Sequence, residues 1–361
     1  MKKKTTKKTK KRNCRIADIA AMAGVSTGTV DRVLHNRGKV SKEAQEKIQR
    51  VMAEINYQPS LAVHSLASEK PCRILSLIPA FLPDEYWSKV NEGIRKAEQE
   101  YADFRMEVKQ LPFDPYDKKS FDAAVRSIRK TDVQGVIIAT LFREKVLRLT
   151  QWLDSQETPY VLLDAWLEDT NCIAYNGPDA FRSGYLGGRL LLGQIRKDDN
   201  IIIFNMRHHA RFESIQCTRR EEGFRNCLSE AGFQGKILSA FIQAGSPEKN
   251  EQLLDRLIRP KAGCRGGIMF NSRVSMVASW FLKREKFDFA LVGYDAVKAN
   301  IPYLKNGIVS FLIAQRPEIQ GYNSLKALFH HLILKQPVKK MNYMPVDILM
   351  KENIDYYTNC L

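Results

Sequence analysis

The sequence predicts an α/β protein in which an N-terminal all-α, three-helix helix-turn-helix domain precedes two doubly wound parallel α/β lobes. Three observations support this prediction. Apolar residues between 16 and 55 recur at helical spacing, short β-rich runs alternate with helical stretches over the rest of the chain, and 361 residues are too many for one small core. The expected organisation is therefore a small unit followed by a larger, two-lobed one.

Three short helices are predicted near the N-terminus. The second is expected to begin after Ser26 and the third after Ser41, because serine is a favoured N-cap, and Gly24 is expected to end the first. The apolar stripes repeat at three- and four-residue spacing and comprise Ile16, Ile19, Ala20 and Ala23, then Val30, Val33 and Leu34, then Ile48, Val51, Met52 and Ile55. The first two helices and their tight turn make a helix-turn-helix.

The second helix carries the candidate DNA contacts. If its first turn enters the major groove, Thr27, Gly28, Thr29 and Arg32 face the DNA, and Thr27 and Arg32 are the better candidates for reading bases. Thr29 and Ser41 lie near helix starts, where hydroxyl and N–H groups commonly hold phosphates. A packed helix pair with no role in DNA binding is the alternative interpretation of this pattern.

The N-terminal region is strongly basic. Residues 1–70 hold 16 basic and 6 acidic residues, which is most of the net charge of +17 carried by the whole chain. Residues 1–12 are predicted to be a disordered basic tail that either adds non-specific, salt-dependent DNA affinity or serves only solubility. Because no apolar segment follows these charges, the tail is not expected to be a signal peptide.

The segments IADIAAMAGVSTGTVDRVLHN, VSKEAQEKIQRVMAEINYQPS and SLA resemble the DNA-binding head and hinge of the LacI family of bacterial repressors. The resemblance implies that Thr27 and Gly28 choose the operator, with Arg32 contributing further along the helix. Gly28 departs from the family because it has no side chain to read a base, so the preference would rest on Thr27 and Asp31. Asp31 would accept a hydrogen bond from a cytosine amino group or repel phosphate.

Residues 60–67 resemble the hinge helix of that family, which folds when two copies meet over the minor groove of the operator. Leu66 matches the leucine wedge that unstacks a base step and kinks the duplex. Ser60 and Val63 depart from the family's usual residues, and a plain interdomain linker is the alternative. The full set of candidate DNA-binding residues is Ser26, Thr27, Gly28, Thr29, Asp31, Arg32, Ser41, Tyr57 and Leu66.

Short β-rich runs mark the strands of the two lobes. They span residues 73–78, 135–139, 160–163, 200–204, 267–270, 289–293 and 310–314. Their alternation with helical stretches is typical of parallel sheets covered by helices on both faces. Ligands of such sheets bind beyond the carboxyl ends of the strands, so the residues that follow each run are the candidates for a binding site.

Side chains with the chemistry of a polyol site follow these runs. Aromatic rings stack on the C–H face of a sugar, whereas carboxylate, amide and guanidinium groups bind its hydroxyls in pairs. The candidates are Tyr86, Trp87, Asp164, Arg220, Asn271, Asp295 and Gln315. Asp164 and Asp295 could also be drawn as the acid and base of a glycosidase, but a binding role is favoured because nothing in the sequence sets their distance.

The segments TRREEGF, VGYDAV and AQRPEIQGYNSLKAL make this region similar to the periplasmic-binding-protein type I fold, which LacI-family regulators carry as their sensor. The resemblance implies that Arg220, Asn271, Asp295 and Gln315 hold ligand hydroxyls and that Tyr86 or Trp87 stacks on the ring. The implied effector is a small sugar, and a uronate or a nucleoside stays open, with Arg220 pairing a carboxylate. Asn176 departs from the aspartate common at that crossover.

The topology of the family implies that the chain crosses between the lobes near 175, 309 and 336. The predicted organisation is a disordered tail 1–12, a helix-turn-helix domain 13–59, a hinge helix or linker 60–71, an N-terminal lobe 72–175 and 309–335, and a C-terminal lobe 176–308 and 336–361. Ligand in the cleft would close the lobes and change the spacing of two DNA heads, with the sign of the effect open. Two heads reading a pseudo-palindromic operator imply a homodimer.

Signatures of other protein classes are absent from the sequence. It has no H-E-x-x-H, P-loop or G-x-G-x-x-G motif, and GYLGG at 184–188 lacks the spacing of a nucleotide-binding turn. The seven cysteines include no C-x-x-C pair, and the histidine pairs 208–209 and 330–331 suit chelation poorly, so no disulfide, metal or cofactor is predicted. No apolar run is long enough to cross a bilayer.

These features together predict a cytoplasmic, nucleoid-associated, homodimeric DNA-binding transcription regulator that is not an enzyme. It is expected to repress carbohydrate-utilisation genes, with an operator affinity that changes when a sugar-like effector binds between the lobes. A solute-binding protein without specific DNA recognition is the first alternative. A DNA-compacting protein with a vestigial sensor is the second.

Overall fold

The computed structural model describes residues 16–34, 38, 40–55, 71–207, 214–259, 263–285 and 288–359. The chain divides into two units, Met1–Ala67 and Ser68–Leu361. The predicted basic tail and hinge helix lie outside the described residues, as do Tyr57 and Leu66. Their assignments therefore remain predictions.

Three helices make up the described part of the first unit: α1 (Ile16–Ala23), α2 (Thr27–Leu34) and α3 (Lys42–Glu54). Gly24 has a φ of +66°, and this left-handed conformation ends α1 and turns the chain toward α2. Ile19, Val30 and Ile48, one from each helix, are fully buried in a common core. The predicted helix-turn-helix is therefore confirmed.

Serine side chains begin α2 and α3, as the sequence predicts. Ser26 Oγ accepts a hydrogen bond from the Thr29 N–H at 3.2 Å, and Ser41 Oγ accepts one from the Ala44 N–H at 3.3 Å. The first turn of a helix leaves N–H groups without intrahelical partners, and each serine satisfies one of them.

The second unit contains two six-stranded sheets. In chain order the strands are β1 (Cys72–Leu77), β2 (Met106–Gln110), β3 (Gly135–Ala139), β4 (Tyr160–Leu163), β5 (Ala174–Gly177), β6 (Asn200–Arg207), β7 (Ile237–Gln243), β8 (Cys264–Met269), β9 (Ala290–Tyr294), β10 (Phe311–Ala314), β11 (Met341–Tyr343) and β12 (Asp347–Leu349). The first sheet has the order β11-β5-β4-β3-β1-β2 and the second β12-β10-β9-β8-β6-β7. All pairs are parallel except the antiparallel pair of β10 and β12.

Helices connect the strands of both sheets. In chain order they are α4 (Tyr86–Glu100), α5 (Lys118–Ile128), α6 (Arg143–Ser155), α7 (Ala180–Leu192), α8 (Ile215–Glu230), α9 (Pro247–Leu257), α10 (Ser275–Lys283), α11 (Ile301–Lys305), α12 (Pro317–Leu332) and α13 (Ile354–Asn359). Strands that alternate with helices in this way give the two doubly wound lobes that the sequence predicts. Among the described residues, no helix is both long and apolar enough to span a membrane.

The seven predicted β-rich runs all correspond to strands, and β3 and β4 have the predicted bounds. Five further strands, β2, β5, β7, β11 and β12, were not predicted. All of them except β5 lie at an edge of a sheet. Edge strands are less completely buried than central ones, so the continuous apolar run that reveals a central parallel strand is missing from them.

Two of the predicted lobe boundaries are wrong. Strand β10 pairs with β9 in the second sheet, so the crossing expected near 309 comes after Ala314. Strand β11 pairs with β5 in the first sheet, so the crossing expected near 336 comes after Tyr343. The first crossing follows Gly177, close to the predicted 175. Apolar patterns indicate a strand but not the sheet that the strand joins, because pairing is decided by contacts distant in sequence.

Candidate functional site

A cleft of about 1420 Å³ lies between the lobes of the second unit. It is lined by all seven residues that the sequence proposes as ligand contacts: Tyr86, Trp87, Asp164, Arg220, Asn271, Asp295 and Gln315. Asp164, Asp295 and Gln315 directly follow β4, β9 and β10. The cleft therefore lies at the carboxyl ends of parallel strands, the expected place for a ligand site.

Three of these residues form a hydrogen-bonded chain on the floor of the cleft. Arg220 Nη2 donates to Gln315 Oε1 at 2.5 Å, and Gln315 Nε2 donates to Asp295 Oδ1 at 2.7 Å. Arg220 Nη1 donates to the Phe270 carbonyl at 2.6 Å. Arg220 and Gln315 are 1% exposed and Asp295 is 5% exposed. The three hydrogen-bonded side chains are therefore held in a fixed arrangement away from bulk water.

Asp164 completes the floor from the first lobe and is 4% exposed. Its carbonyl accepts a hydrogen bond at 2.9 Å from Nε2 of Gln216, a residue of α8 in the second lobe. The same Gln216 nitrogen lies 3.2 Å from Gln315 Oε1. Gln216 thus links the two lobes at the floor. It was not predicted, because nothing in its neighbourhood in the sequence marks it as facing a cleft.

Tight turns place the two floor carboxylates. Asp164 and Asp295 have φ angles of 81° and 65°, in the left-handed region that few residues other than glycine, asparagine and aspartate occupy. Asn300 Nδ2 donates to the carbonyls of Tyr294 and Asp295, each at 3.0 Å, and so holds the second turn. Strained backbone of this kind is common at ligand sites.

Burial raises the pKa of both carboxyl groups. The pKa of Asp164 rises from 3.8 to about 7, and that of Asp295 rises to about 6. The nearby Arg220 guanidinium opposes both increases because it favours the ionised carboxylates. The floor therefore combines one permanent positive charge with two carboxyl groups that titrate close to neutral pH.

Close packing of two helices positions Arg220. A Cβ atom added to Gly184 of α7 would lie 1.8 Å from the Arg220 carbonyl oxygen in α8, so the approach of these helices requires glycine at this position. The guanidinium carbon of Arg220 also lies 4.0 Å from the centroid of the Tyr294 ring. The glycine-rich segment GYLGG, which has no nucleotide-binding spacing, belongs to this helix contact.

Of the two aromatic residues proposed to stack on a ligand, Trp87 is the more accessible. Tyr86 is 6% exposed, and its hydroxyl donates to Gln320 Oε1 at 3.2 Å. Burial, followed by the negative charges of Asp164 and Asp295, raises the pKa of Tyr86, so the hydroxyl remains protonated. The two rings meet edge to face with centroids 5.1 Å apart, and Tyr86 therefore supports Trp87.

Two ion pairs join the lobes at the cleft. Glu85 Oε1 lies 2.9 Å from Arg273 Nη2, and Asp84 Oδ2 lies 3.1 Å from Lys298 Nζ. Asn271 supports the first pair, since its Oδ1 accepts a hydrogen bond from the Arg273 N–H at 3.0 Å. The described structure therefore shows lobes in direct contact around the cleft.

The proposed DNA-contact residues of the first unit occupy the start of α2. Thr27, Gly28 and Arg32 are exposed, and Thr29 and Asp31 are half-buried. Arg32 Nε donates to the Gly28 carbonyl at 3.1 Å, so its side chain folds along its own helix. An added Cβ at position 28 would lie 3.8 Å from an Arg32 nitrogen, an ordinary van der Waals distance, so this contact does not require glycine.

A shallow depression joins the starts of α2 and α3. It is lined by Ser26, Thr29, Arg32 and Ser41, together with apolar side chains. Ser26 Oγ and Thr29 Oγ1 lie 2.9 Å apart, within hydrogen-bond distance. Hydroxyl groups and the N–H groups of helix N-termini commonly donate hydrogen bonds to phosphates, and both kinds of donor line this depression.

Comparisons with known proteins identify both units. Residues 15–60 match the lacI family of bacterial regulatory proteins, and residues 75–336 match a periplasmic binding protein domain. The solved structure of a candidate LacI transcriptional regulator from Bacteroides fragilis is 37% identical to this chain, covers 80% of it and 100% of the solved chain, and superposes with a TM-score of 0.76. The chain belongs to the LacI family.

Curated relatives extend over nearly the whole LacI-family chain. The HTH-type transcriptional repressor PurR of Mannheimia succiniciproducens is 24% identical, over 94% of this chain and 98% of that protein. The ribose operon repressor of Halalkalibacterium halodurans is 25% identical, over 90% of this chain and 91% of that protein. This LacI-family protein is therefore a DNA-binding transcription regulator with a periplasmic-binding-protein-like sensor, and the solute-binding alternative is disfavoured.

The structure also adds residues to the cleft of this LacI-family protein that the sequence did not suggest. Besides Gln216, they include Asn205, Tyr116 and Phe241. Phe241 lies on β7, one of the strands that were not predicted, and Tyr116 follows β2, another of them. Within the described parts of the chain, no group of three or more His, Cys, Asp or Glu side chains is arranged to hold a metal ion.

Proposed function

We propose that this LacI-family regulator represses carbohydrate-utilisation genes and that its effector is a neutral sugar bound in the cleft between the lobes. The observation that best supports this proposal is the buried floor of the cleft, which is formed by Asp164, Asp295, Gln315 and Arg220. The name of the Halalkalibacterium halodurans relative, the ribose operon repressor, supports the carbohydrate assignment.

The charges on the floor favour hydroxyl groups as its ligands. Ionised carboxylates only accept hydrogen bonds, so in their ionised form Asp164 and Asp295 select a ligand with donors. Arg220 Nε is buried and has no hydrogen-bond partner among the described residues, so one donor of this guanidinium is unsatisfied. A sugar hydroxyl both donates and accepts, and neighbouring hydroxyls on one ring satisfy both kinds of group at once.

The same charges disfavour a sugar acid. The two terminal nitrogens of Arg220 already donate to Gln315 and to the Phe270 carbonyl, and the two floor carboxylates outnumber this guanidinium. An anionic ligand would add a further negative charge to a site that is hidden from water, where like charges repel strongly. A uronate is therefore the weaker of the candidate effectors.

The DNA-bound state we propose is a cytoplasmic, nucleoid-associated homodimer on a pseudo-palindromic operator. Two heads related by two-fold symmetry read two half-sites, with Thr27, Asp31 and Arg32 toward the bases and Ser26, Thr29 and Ser41 toward phosphates. Tyr57 and the Leu66 wedge are assigned from the family resemblance alone. Effector bound between the lobes changes the angle of the lobes and thereby the spacing of the heads, which alters operator affinity.

Two measurements on the full chain test this proposal. A thermal-shift screen compares neutral monosaccharides with the matching uronates, for example glucose with glucuronate and galactose with galacturonate. A ligand present at 100 times its dissociation constant is expected to stabilise the protein by about 2.7 kcal/mol. Stabilisation by the uronates alone would contradict the neutral-sugar assignment.

The second measurement selects operators from random duplexes and footprints them with and without the stabilising sugar. We expect a protected palindrome of defined sequence and a change in protection when the sugar is added. Uniform coverage of any duplex would contradict the regulator and support the DNA-compacting alternative.

A further inference from the structure

We infer that the cleft contains an outer subsite, formed by Tyr116 and Phe241, which binds a second sugar ring, so that the effector is an oligosaccharide. The inference rests on the proposed function, because it assumes that a carbohydrate occupies the cleft. Beyond the proposed function, it specifies that the carbohydrate is longer than one ring, and it names two residues that select for this length.

The sheet topology separates these two aromatic residues from the floor. Asp164 follows β4, and three strand-to-strand steps lead from β4 to the edge strand β2, which precedes Tyr116. Asp295 follows β9, and three steps lead from β9 to the edge strand β7, which carries Phe241. Neighbouring strands lie about 4.8 Å apart, so β2 and β7 are offset by roughly 14 Å across the sheet from the strands that place the floor carboxylates. One pyranose ring is too short to reach both places.

Tyr116 is kept near the end of β2 by local contacts. Phe113 forms a parallel bridge with Pro79, which continues the pairing of β1 and β2 beyond the strands themselves. Asp114 Oδ1 then accepts a hydrogen bond from the Tyr116 N–H at 2.8 Å, in a turn that leads to α5. The Tyr116 side chain is 49% exposed and lines the cleft.

Phe241 is placed by the pleat of β7. Ala240 and Ile242 are buried, whereas Ser239 and Phe241 alternate with them and both line the cleft. Phe241 is 54% exposed, so its ring is accessible to a ligand in the cleft. Asn205, the register partner of Phe241 on β6, lines the same part of the cleft and supplies an amide for ring hydroxyls.

Each lobe therefore contributes one exposed aromatic residue, and the outer strands contribute polar neighbours. This combination binds a sugar ring by stacking and hydrogen bonding.

The size of the cleft agrees with two rings. Its volume of about 1420 Å³ exceeds the roughly 300–1,000 Å³ typical of sites for drug-sized ligands, which are larger than a monosaccharide. Gln216 and the two ion pairs already join the lobes, so the volume does not arise from lobes that have separated.

The test is isothermal titration calorimetry of the full chain with matched ligands: glucose with cellobiose and maltose, xylose with xylobiose, mannose with mannobiose, and galactose with lactose. The proteins are the unchanged chain, Tyr116→Ala, Phe241→Ala and the conservative Phe241→Tyr. The control is Tyr356→Ala, which removes a tyrosine that is 74% exposed and does not line the cleft.

We expect one disaccharide to bind the unchanged chain at least roughly tenfold more tightly than its monosaccharide. Tyr116→Ala and Phe241→Ala should each weaken that disaccharide by roughly three- to tenfold while leaving the monosaccharide unchanged, the range expected for lost aromatic contacts. Phe241→Tyr should retain the affinity, because it keeps a stacking ring, and Tyr356→Ala should have no effect.

Three results would overturn the inference. If a monosaccharide binds as tightly as every longer sugar, or if the alanine substitutions weaken both ligands equally, the outer subsite does not exist, but the proposed function stands. If no carbohydrate of either length binds, the proposed function fails and the inference fails with it.

Discussion

Glu85 and Arg273 form an ion pair between the two lobes, with 2.9 Å from Glu85 Oε1 to Arg273 Nη2. Glu85 immediately precedes α4, and its Oε2 also accepts a hydrogen bond from the Leu82 N–H at 3.0 Å. Arg273 follows β8 in the other lobe, where Asn271 holds its backbone. Both ends of the ion pair are therefore anchored locally, and lobe separation must break it.

The first prediction concerns this ion pair. We expect Arg273→Met to weaken effector binding by roughly two- to fivefold and to reduce the salt dependence of binding, since a partly exposed ion pair contributes at most about 1 kcal/mol. Calorimetry at two salt concentrations measures both effects. Arg265→Met is the matched control, because Arg265 pairs with Asp288 within the second lobe. Equal losses in the two variants would show that the contact between lobes is unimportant.

The second prediction concerns the helix contact behind Arg220. Gly184→Ala places a methyl group against the Arg220 backbone, so we expect a loss of about 1–3 kcal/mol or more in unfolding free energy, together with weaker effector binding. Chemical denaturation and calorimetry measure the two effects. Gly193→Ala is the control, because its added Cβ would meet only atoms at 3.5 Å or more and its φ of −71° suits alanine. A stable Gly184→Ala protein with normal affinity would contradict the proposed packing constraint.

The third prediction concerns the stability of the ligand-free protein against pH. The pKa values of Asp164 and Asp295 are raised to about 7 and about 6, so the folded state holds more protons than the unfolded state between pH 4 and 7. Stability should therefore fall as the pH rises through this window, by on the order of a few kcal/mol in total. Thermal unfolding across this pH range measures the trend. Asp164→Asn should flatten it, and a stability that rises steadily with pH in both proteins would contradict the burial of these carboxyls.

The fourth prediction is that effector binding has the opposite pH dependence. Hydroxyl donors favour the ionised carboxylates, so affinity for the sugar should decrease as the pH falls from 7 to 5, by up to roughly tenfold per unit for each group that takes up a proton. Calorimetry with the sugar found by thermal shift measures this change. An affinity that is constant over this range would place the ligand away from Asp164 and Asp295.

The fifth prediction separates the sensor from the DNA head. Asp295→Ala should abolish the effect of the sugar on operator binding and leave the operator affinity itself near normal. Conversely, Arg32→Ala should weaken binding to the selected operator by about 1–3 kcal/mol while affecting non-operator DNA much less, if Arg32 leaves the Gly28 carbonyl to reach a base edge. Fluorescence anisotropy with both DNAs measures each variant. An equal loss on both DNAs would make Arg32 a phosphate contact instead.

Much of the fold was predictable because its signals are local. The caps at Ser26 and Ser41 and the apolar stripes through Ile19, Val30 and Ile48 depend on residues within one or two helical turns. The central strands are short, continuous apolar runs for the same reason. The edge strands were not found, because a strand such as β2 alternates exposed and buried residues and resembles many loops.

Candidate ligand residues were also predictable where they directly follow a strand, since the carboxyl ends of parallel strands point to one edge. Asp164, Asp295 and Gln315 are of this kind. Gln216 could not be found in this way, because it lies in the first turn of α8 and acts by reaching the Asp164 carbonyl of the other lobe. Tyr116 and Phe241 were missed with the edge strands that place them.

The order of residues along the chain was enough to specify the head, the alternating strands and the family, since each rests on short-range periodicity or on a contiguous motif. Folding in three dimensions settled which sheet β10 and β11 join, which floor groups are buried beside Arg220, and which aromatic residues reach the cleft. Those features depend on contacts between residues that are not neighbours in sequence, such as Tyr86 with Gln320, and on the exclusion of water that such contacts bring about. Neither leaves a local pattern in a sequence.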